Sequence, residues 1–297
     1  MLPEGVEHFH VQAGAVRLHC AAMGPADGPL VLLLHGFPEC WATWRGQLPA
    51  LAEAGFRAVA PDLRGYGGSD KPRGVEQYRI EKLAQDVADL VAALGRERAD
   101  LVGHDWGGAV AWRVAMWHPA RVRKLAILNS PHPADLSRAM RTLRQIRKSW
   151  YMFLFQLPFL PERLITPGRL QFIFRRTTAR KGAYEQAEIA ANIDAMREPE
   201  GPLNYYRAAL RFGGTSHAAP FGLRPSPAKP APPRWEPVQA ETLVIWGERD
   251  RWLGSELAVP DARWVPRARV ERIADASHFV QADAPDEVSR LLVEFLR

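Results

Sequence analysis

The chain contains only two cysteines among its 297 residues, Cys20 and Cys40. Two cysteines allow one disulfide bond at most, so they exclude the disulfide framework of a small secreted protein. We therefore expect a reducing, cytoplasmic compartment. The His, Cys and Asp residues also lack the spacing of a metal-ligand motif, so we expect no metal.

Long apolar runs are lacking as well. No segment reaches the roughly 20 consecutive apolar residues of a membrane-spanning helix. The first ten residues lack a basic stretch followed by an apolar one, so they do not resemble a signal peptide. We therefore expect no membrane partner and no targeting segment.

A charge pattern typical of nucleic-acid binding is also missing, although the formal net charge is +6. The basic residues are scattered apart from one run. Its spacing of three predicts one solvated side of a helix, so we do not expect a nucleic-acid partner. The run consists of Arg138, Arg141, Arg144, Arg147 and Lys148.

The composition that is present, 47% hydrophobic and 24% charged residues, is typical of a globular protein. Several short segments are apolar at every position and end at glycine or a polar residue. Such segments predict strands buried on both faces, as in a parallel sheet. They are Leu30–Leu34, Ala58–Ala60, Leu101–Val102, Leu125–Leu128 and Leu243–Trp246.

Helical patterns alternate with these strands. Apolar residues with a period of 3.6 predict a helix over Ile80–Leu94, and further helices are expected over Gly107–His118 and Pro285–Leu296. Alternating strands and helices predict an α/β fold with a mostly parallel, doubly wound sheet.

The alternation breaks after Asn129. The expected core therefore comprises residues 1–130 and 238–297, with a helical cap over residues 131–219. Residues 220–237 are rich in proline, which predicts a stiff, extended connector. A helical insertion that returns to the same sheet would lie over the ends of its strands.

The segment from Gly103 to Gly108, Gly-His-Asp-Trp-Gly-Gly, follows a predicted strand and opens a helix. In α/β-hydrolases this position holds a sharp turn that presents a nucleophile, usually serine. Here the central residue is Asp105, and a carboxylate attacks a saturated carbon to form an alkyl ester. Taken alone, the segment also fits an aspartate that caps the following helix.

Two further turns complete a candidate site. His35-Gly36-Phe37-Pro38 follows the first strong strand, where this fold forms an oxyanion hole, so we assign that role to the backbone N–H groups of Phe37 and Trp106. Asp250 follows a late strand, with Glu248 as a rival in the same segment. His278 lies in a loop before the last helix. The order of nucleophile, acid and histidine is that of an α/β-hydrolase triad.

Together these motifs resemble the epoxide hydrolase and haloalkane dehalogenase branch of the α/β-hydrolases. The resemblance covers nearly the whole chain and implies an α/β-hydrolase fold with a cap. It also implies a small-molecule substrate, no cofactor, and a monomer or homodimer. We expect the substrate pocket to be lined by His35, Pro38, Trp106 and Phe279.

Epoxide hydrolases of this branch use two cap tyrosines to protonate the leaving oxygen. The segments Ser149–Gln156 and Gly201–Arg207 resemble the motifs that carry them. The resemblance implies Tyr151 and Tyr206 as the pair, with Tyr205 as the alternative to Tyr206. Aromatic residues in a helical cap also commonly serve packing alone.

The resemblance leaves two other functions open. Haloalkane dehalogenases share the aspartate nucleophile, but they commonly carry a second halide donor where this chain has Phe37. Fluoroacetate dehalogenases carry an arginine after the nucleophile, where this chain has Trp106, and a cap histidine, where it has Trp150. A catalytically silent protein that binds a small ligand is the remaining alternative. The expected activity is conversion of an epoxide and water into a vicinal diol.

Overall fold

One mostly parallel sheet organises the chain. The computed structural model describes residues 2–212 and 235–297, so most of the predicted connector, residues 220–234, lies outside the described residues. The described strands form an eight-stranded sheet in the order β1-β2-β4-β3-β5-β6-β7-β8. They are β1 (Glu7–Ala13), β2 (Val16–Met23), β3 (Leu30–Leu34), β4 (Arg57–Pro61), β5 (Ala99–His104), β6 (Val122–Leu128), β7 (Glu241–Gly247) and β8 (Ala268–Ile273).

The strand directions agree with the predicted fold class. The β1–β2 and β2–β4 pairs are antiparallel, and all other neighbours pair in parallel. The α/β class and the predominantly parallel sheet are therefore confirmed.

Helices connect the strands and cover both faces of the sheet. Those outside the β6–β7 connection are α1 (Gln47–Glu53), α2 (Ile80–Ala93), α3 (Asp105–Trp117), α11 (Val280–Asp283) and α12 (Pro285–Leu296). The connection from β6 to β7, here called the insertion (residues 131–212), contains α4 (Pro133–Ala139), α5 (Leu143–Lys148), α6 (Trp150–Leu154), α7 (Leu160–Leu164), α8 (Pro167–Arg176), α9 (Gln186–Ala195) and α10 (Glu200–Phe212).

The sequence of β3 shows why this sheet is buried on both faces. All five of its residues are buried. Leu30, Leu32 and Leu34 belong to the core cluster on one face, whereas Val31 and Leu33 belong to the cluster on the other. Alternating side chains of one strand therefore supply both layers, which explains the uninterrupted apolar run.

Three strands were missed by the sequence patterns, namely β1, β2 and β8. They lie at or near the two edges of the sheet, and β1 and β8 contain many exposed polar residues. In β8 the sequence Arg269-Val270-Glu271-Arg272 has almost no apolar content. An edge strand needs only its backbone pairing and one covered face, so its apolar signal is weak.

The predicted single helix through the basic run is wrong. Arg138 lies in the last turn of α4, whereas Arg144, Arg147 and Lys148 lie in α5. Thr142 separates the two helices by donating to the Ala139 carbonyl at 2.7 Å and accepting from the backbone N–H of Gln145 at 3.3 Å. A helix-capping threonine thus starts a new helix inside the run.

The optional disulfide is also absent, because Cys20 and Cys40 are both buried free thiols. Among the described residues, no helix is long and apolar enough to span a bilayer.

Replacing Gly107 by alanine should strongly destabilise the fold. A Cβ at this position would lie 2.1 Å from the backbone oxygen of Leu34, because α3 crosses β3 closely at this point. Overpacking against backbone should cost about 3 kcal/mol in the free energy of unfolding, measured by urea denaturation.

Gly168→Ala provides the matched control. No atom lies within 4 Å of its added Cβ, and Gly168 is in α8, so this change should leave the stability unchanged or raise it by up to about 1 kcal/mol. Equal effects of the two substitutions would contradict the close crossing at Gly107.

Candidate active site

A strained turn presents the Asp105 carboxylate. Asp105 follows β5, begins α3 and has a φ of 49°. Its side chain does not cap α3; it leaves the helix and accepts a hydrogen bond from the backbone N–H of Phe37 at 3.0 Å. A non-glycine residue in this backbone region is uncommon, and such strain concentrates at functional sites. The helix-cap alternative for Asp105 is therefore not supported.

Neighbouring turns hold Asp105 in place. A Cβ at Gly36 would lie 2.5 Å from the Cβ of Asp105, so glycine permits the His-Gly-Phe-Pro turn to approach the carboxylate. The Ser130 hydroxyl donates to the Asp105 backbone oxygen at 2.8 Å. The carboxylate is thereby fixed between the end of β3 and the end of β6.

The Asp105 side chain is only 17% exposed, yet it remains ionised. Burial disfavours the charge, but hydrogen bonding and attraction from His278, together with the Phe37 N–H, hold the pKa of Asp105 below its usual value. The Nε2 atom of His278 lies 3.2 Å from Asp105 Oδ2.

Asp250 orients His278 from the other side. Its Oδ2 atom lies 2.7 Å from His278 Nδ1 and accepts from the Asn129 side chain at 2.9 Å. The other oxygen, Oδ1, accepts from the backbone N–H groups of Trp252 and Leu253 at 2.8 and 2.9 Å. Glu248, the rival acid, pairs instead with Arg272 on the surface. The structure thus brings Asp105, His278 and Asp250 together.

His278 is strongly basic in this setting. Burial disfavours the imidazolium, but attraction by Asp250 and hydrogen bonds to Asp105 and Asp250 outweigh it and raise the pKa of His278 to about 10. The free site therefore contains a protonated histidine between two carboxylates.

A second buried pair behind the site was missed by the sequence analysis. Glu39 Oε2 lies 2.7 Å from His104 Nδ1, and the Nε2–H group of His104 donates to the His278 backbone oxygen at 2.9 Å. Both side chains are completely buried. His104 directly precedes the nucleophile and Glu39 directly follows Pro38. The sequence signal for this pair was therefore that each residue adjoins one of the two motifs.

Glu39 is held as a carboxylate by its neighbours. Burial disfavours its charge, but His104 and hydrogen bonds from Thr43 and Tyr184 hold its pKa below the usual value. Gln281 also donates to Glu39 Oε1 at 2.9 Å. This network ties the loop that carries His278 to the His-Gly-Phe-Pro turn.

Two tyrosines from the insertion reach the site. The rings of Tyr151, in α6, and Tyr206, in α10, lie 5.8 Å apart in a T-shaped arrangement. Burial is the largest cause that raises the pKa of each hydroxyl, and the charge of Asp105 adds to it in both cases. Both side chains therefore remain protonated.

Tyr205 faces a different environment. Its hydroxyl donates to the backbone oxygen of Arg64 at 2.8 Å, and its ring packs against Tyr66 and Tyr78. The geometry therefore favours Tyr206 over Tyr205 as the second tyrosine.

The residues expected to form the oxyanion hole or to line the pocket differ in burial. Phe37 and Trp106 are half-buried beside Asp105, and both rings contact Tyr206. Within the described residues, however, the backbone N–H of Trp106 makes no hydrogen bond to the carboxylate. His35, Pro38 and Phe279 are buried.

Their expected role as pocket-lining residues stays a prediction. Both ring nitrogens of His35 bond to backbone, Nδ1 to the Gly36 oxygen and Nε2 to the Leu63 N–H. Phe279 packs its ring against His278 and Trp252. The described residues contain no cluster of three or more His, Cys, Asp or Glu side chains arranged to hold a metal ion.

Replacing Asp105 by asparagine should lower the pKa of His278 below about 10. The substitution keeps the size of the side chain but removes one of the two negative charges that favour the imidazolium. An NMR titration of the ring nitrogens would measure the change. The exposed Asp194→Asn control should leave the pKa unaltered, and an unaltered pKa in Asp105→Asn would contradict the electrostatic coupling.

The chain is similar to known proteins over nearly its whole length. A family model described as α/β hydrolase fold matches residues 29–285. The AB hydrolase superfamily protein YfhM of Bacillus subtilis (strain 168) is 35% identical over 304 residues and covers 99% of both chains. Epoxide hydrolase 3 of Xenopus tropicalis is 37% identical, and the match covers 98% of this chain and 77% of that protein.

Solved structures agree with these relatives. A variant of an epoxide hydrolase from Bacillus megaterium, in complex with its product (R)-3-[1]naphthyloxy-propane-1,2-diol, superimposes with a TM-score of 0.85 at 30% identity, covering 97% of this chain and 99% of that one. The chain therefore belongs to the α/β-hydrolase family, and within it to the epoxide hydrolase branch.

Proposed function

We propose that this protein is an epoxide hydrolase that converts an epoxide and water into a vicinal diol. One observation carries the proposal: the ionised Asp105 carboxylate is held between the Phe37 N–H and His278, with the buried hydroxyl groups of Tyr151 and Tyr206 nearby. The epoxide hydrolase names of the relatives, and the diol product in the Bacillus megaterium structure, support the same chemistry.

In the first step Asp105 Oδ2 attacks a ring carbon of the epoxide. Asp105 Oδ1 is held by the Phe37 N–H, so Oδ2 is the oxygen that forms the new carbon–oxygen bond. The ring carbon–oxygen bond breaks, and the leaving oxygen takes a proton from a tyrosine hydroxyl. The product is a hydroxyalkyl ester on Asp105.

Tyr151 and Tyr206 are suited to donate that proton. An alkoxide is a poor leaving group, so a positioned acid is required in the transition state. Both tyrosines have a raised pKa, because burial and the charge of Asp105 disfavour the phenolate. They therefore offer hydroxyl hydrogens and do not ionise before the substrate reacts.

Ester formation also prepares the second step. It removes the negative charge of Asp105, which is one of the groups that raise the pKa of His278. The pKa of His278 falls, and its proton passes to the phenolate that ring opening leaves on the tyrosine. The neutral imidazole can then accept a proton from water. Asp250 keeps its hydrogen bond to Nδ1 and orients the ring.

Hydroxide then attacks the ester carbonyl carbon of Asp105. The developing charge on Oδ1 is stabilised by the Phe37 N–H and, we propose, by the Trp106 N–H at the start of α3. The bond between the carbonyl carbon and Oδ2 then breaks, and the diol leaves with a proton from His278. The re-formed carboxyl group of Asp105 passes its proton to His278, which restores the starting charges. No metal or organic cofactor is required by these steps.

We further propose that residues 131–219 act as a cap domain over a core formed by residues 1–130 and 238–297. The placement of Tyr151 and Tyr206 supports this division, because both come from the insertion whereas Asp105, Asp250 and His278 come from the sheet side. Aromatic contacts of Phe37 with Tyr206 and Phe155 join the two parts around the site.

A dehalogenase would use the same nucleophile but needs N–H donors for the halide. Phe37 provides no side-chain donor, so the Trp106 indole would be the single N–H side chain among the two residues beside Asp105. The site therefore supports halide release less well than epoxide opening.

Tyrosine variants provide the sharpest test of this proposal. Replacing either Tyr151 or Tyr206 by phenylalanine should lower the rate of diol formation from styrene oxide, and the double variant should lose roughly 100-fold or more. Asp105→Ala should abolish the activity. Diol formation is measured directly from the product.

Tyr205→Phe is the matched control. It removes the same hydroxyl group from the neighbouring position and loses a hydrogen bond to the Arg64 oxygen, which costs about 1 kcal/mol of stability. Its turnover should remain near that of the unmodified protein. Release of halide from haloalkanes without diol formation from epoxides, or full activity of the Tyr151/Tyr206 double variant, would contradict the proposal.

A further inference from the structure

The insertion has an unusually apolar outer surface. Six large apolar side chains are exposed among the described residues, and five of them belong to the insertion. The sixth, Val259, lies outside it. The five are Leu143 (72% exposed), Trp150 (62%), Phe159 (75%), Leu160 (43%) and Phe172 (61%). Single exposed apolar residues are normal, but their concentration on one part of a surface indicates an interaction site.

The same part of the chain concentrates positive charge. Residues 138–181 contain eleven Lys or Arg residues and one acidic residue, Glu162, although the formal net charge of the whole chain is only +6. Glu162 pairs with Arg207 inside the insertion. Six exposed arginines of this stretch have no acidic partner among the described residues: Arg141, Arg147, Arg163, Arg169, Arg175 and Arg176.

The apolar and basic side chains share helix faces. In α8, Arg169, Phe172 and Arg176 are exposed at spacings of three and four, whereas Leu170 and Phe174 on the other side are buried. Residues three or four apart occupy one face of a helix.

The segment formed by α5 and α6 repeats this arrangement. Leu143 and Arg147 are exposed four residues apart on one face of α5, and Trp150 is exposed at the start of α6. Two separate segments of the insertion thus present an apolar side chain next to an arginine. Apolar anchors flanked by cations are typical of helices that lie on a membrane surface.

We propose that the outer surface of the insertion, formed by the exposed residues of α5 to α8, docks on an anionic lipid bilayer. Arginines attract acidic headgroups, while leucine, tryptophan and phenylalanine bury in the interface. A second copy of the chain is a poorer partner, because two such surfaces would repel each other. Docking on the surface of a bilayer requires no membrane-spanning segment. The proposal therefore departs from the expectation of no membrane partner only for contact at the surface.

The position of this surface suggests a role in access to substrate, and this role rests on the proposed function. Trp150 is exposed, whereas its neighbour Tyr151 reaches the candidate active site through the same helix, α6. Apolar epoxides dissolve in bilayers, so a docked insertion would place the site next to the phase that holds them.

Vesicle binding tests the docking separately from the chemistry. The protein is mixed with phosphatidylcholine vesicles that contain or lack phosphatidylglycerol, and the bound fraction is measured by co-sedimentation at low and high salt. We expect binding to the phosphatidylglycerol vesicles at low salt, weakened at high salt and on pure phosphatidylcholine.

Two variants of the surface should weaken this binding. Arg147→Gln/Arg169→Gln/Arg176→Gln should lower the partition coefficient on the order of 100-fold, since each basic residue near an anionic surface contributes roughly a fivefold factor. The Trp150→Ser/Phe172→Ser variant should have a lower partition coefficient than the unmodified protein at high salt, where burial of apolar side chains dominates the binding.

Matched controls carry the same changes elsewhere. Arg73→Gln/Arg98→Gln/Arg297→Gln removes three exposed arginines outside the insertion, and Val259→Ser removes the remaining exposed apolar side chain. Both should bind vesicles like the unmodified protein. The proposal would be overturned if the protein did not bind the vesicles, or if control and test variants lost binding equally. It would also be overturned if the protein bound single-stranded RNA in place of vesicles, or if light scattering showed a stable dimer that buries this surface.

Discussion

The coupling of charge between Asp105 and His278 is the interaction on which the rest of the site depends. A carboxylate with little exposure to water remains ionised because an imidazolium lies 3.2 Å away, and the imidazolium persists because two carboxylates flank it. This mutual stabilisation gives the site a switch that the reaction itself operates. Once Asp105 becomes an ester, the negative charge that favours a protonated His278 is lost, and the neutral imidazole becomes the base of the second step.

The surrounding fold serves to keep these two groups at that separation. Asp105 is fixed by a strained turn between β5 and α3, whereas His278 lies on a loop that follows the last strand of the sheet. The buried Glu39–His104 pair connects the two, since His104 directly precedes Asp105 and bonds to the His278 backbone. Burying such a pair is costly unless both partners are fully hydrogen-bonded, and here Thr43, Tyr184 and Gln281 complete the network around it.

The sequence was most informative where a residue type is dictated by the geometry. A turn that needs glycines around a carboxylate, and strands buried on both faces, leave clear local patterns, so Asp105 and the central strands could be predicted. Edge strands such as β8 and the helix break at Thr142 leave little apolar signal. The Glu39–His104 pair joins residues 65 positions apart in the chain, so local sequence patterns could not predict this contact.

The choice between Tyr205 and Tyr206 is a similar case. Adjacent residues of α10 point in different directions, and only the packed structure reveals that the Tyr205 hydroxyl is already bonded to the Arg64 backbone. The burial of His35 and Phe279 is a related case, because it cannot be read from their proximity to the catalytic motifs in the sequence.

The covalent ester on Asp105 is the central claim, and trapping it is the most direct measurement. Replacing His278 by glutamine removes the base of the second step while leaving the nucleophile in place. After this variant is mixed with styrene oxide, intact-protein mass spectrometry should detect an added mass equal to that of the epoxide, and peptide mapping should place it on Asp105. An absence of any adduct while the unmodified protein forms diol, or an adduct on another residue, would contradict the account.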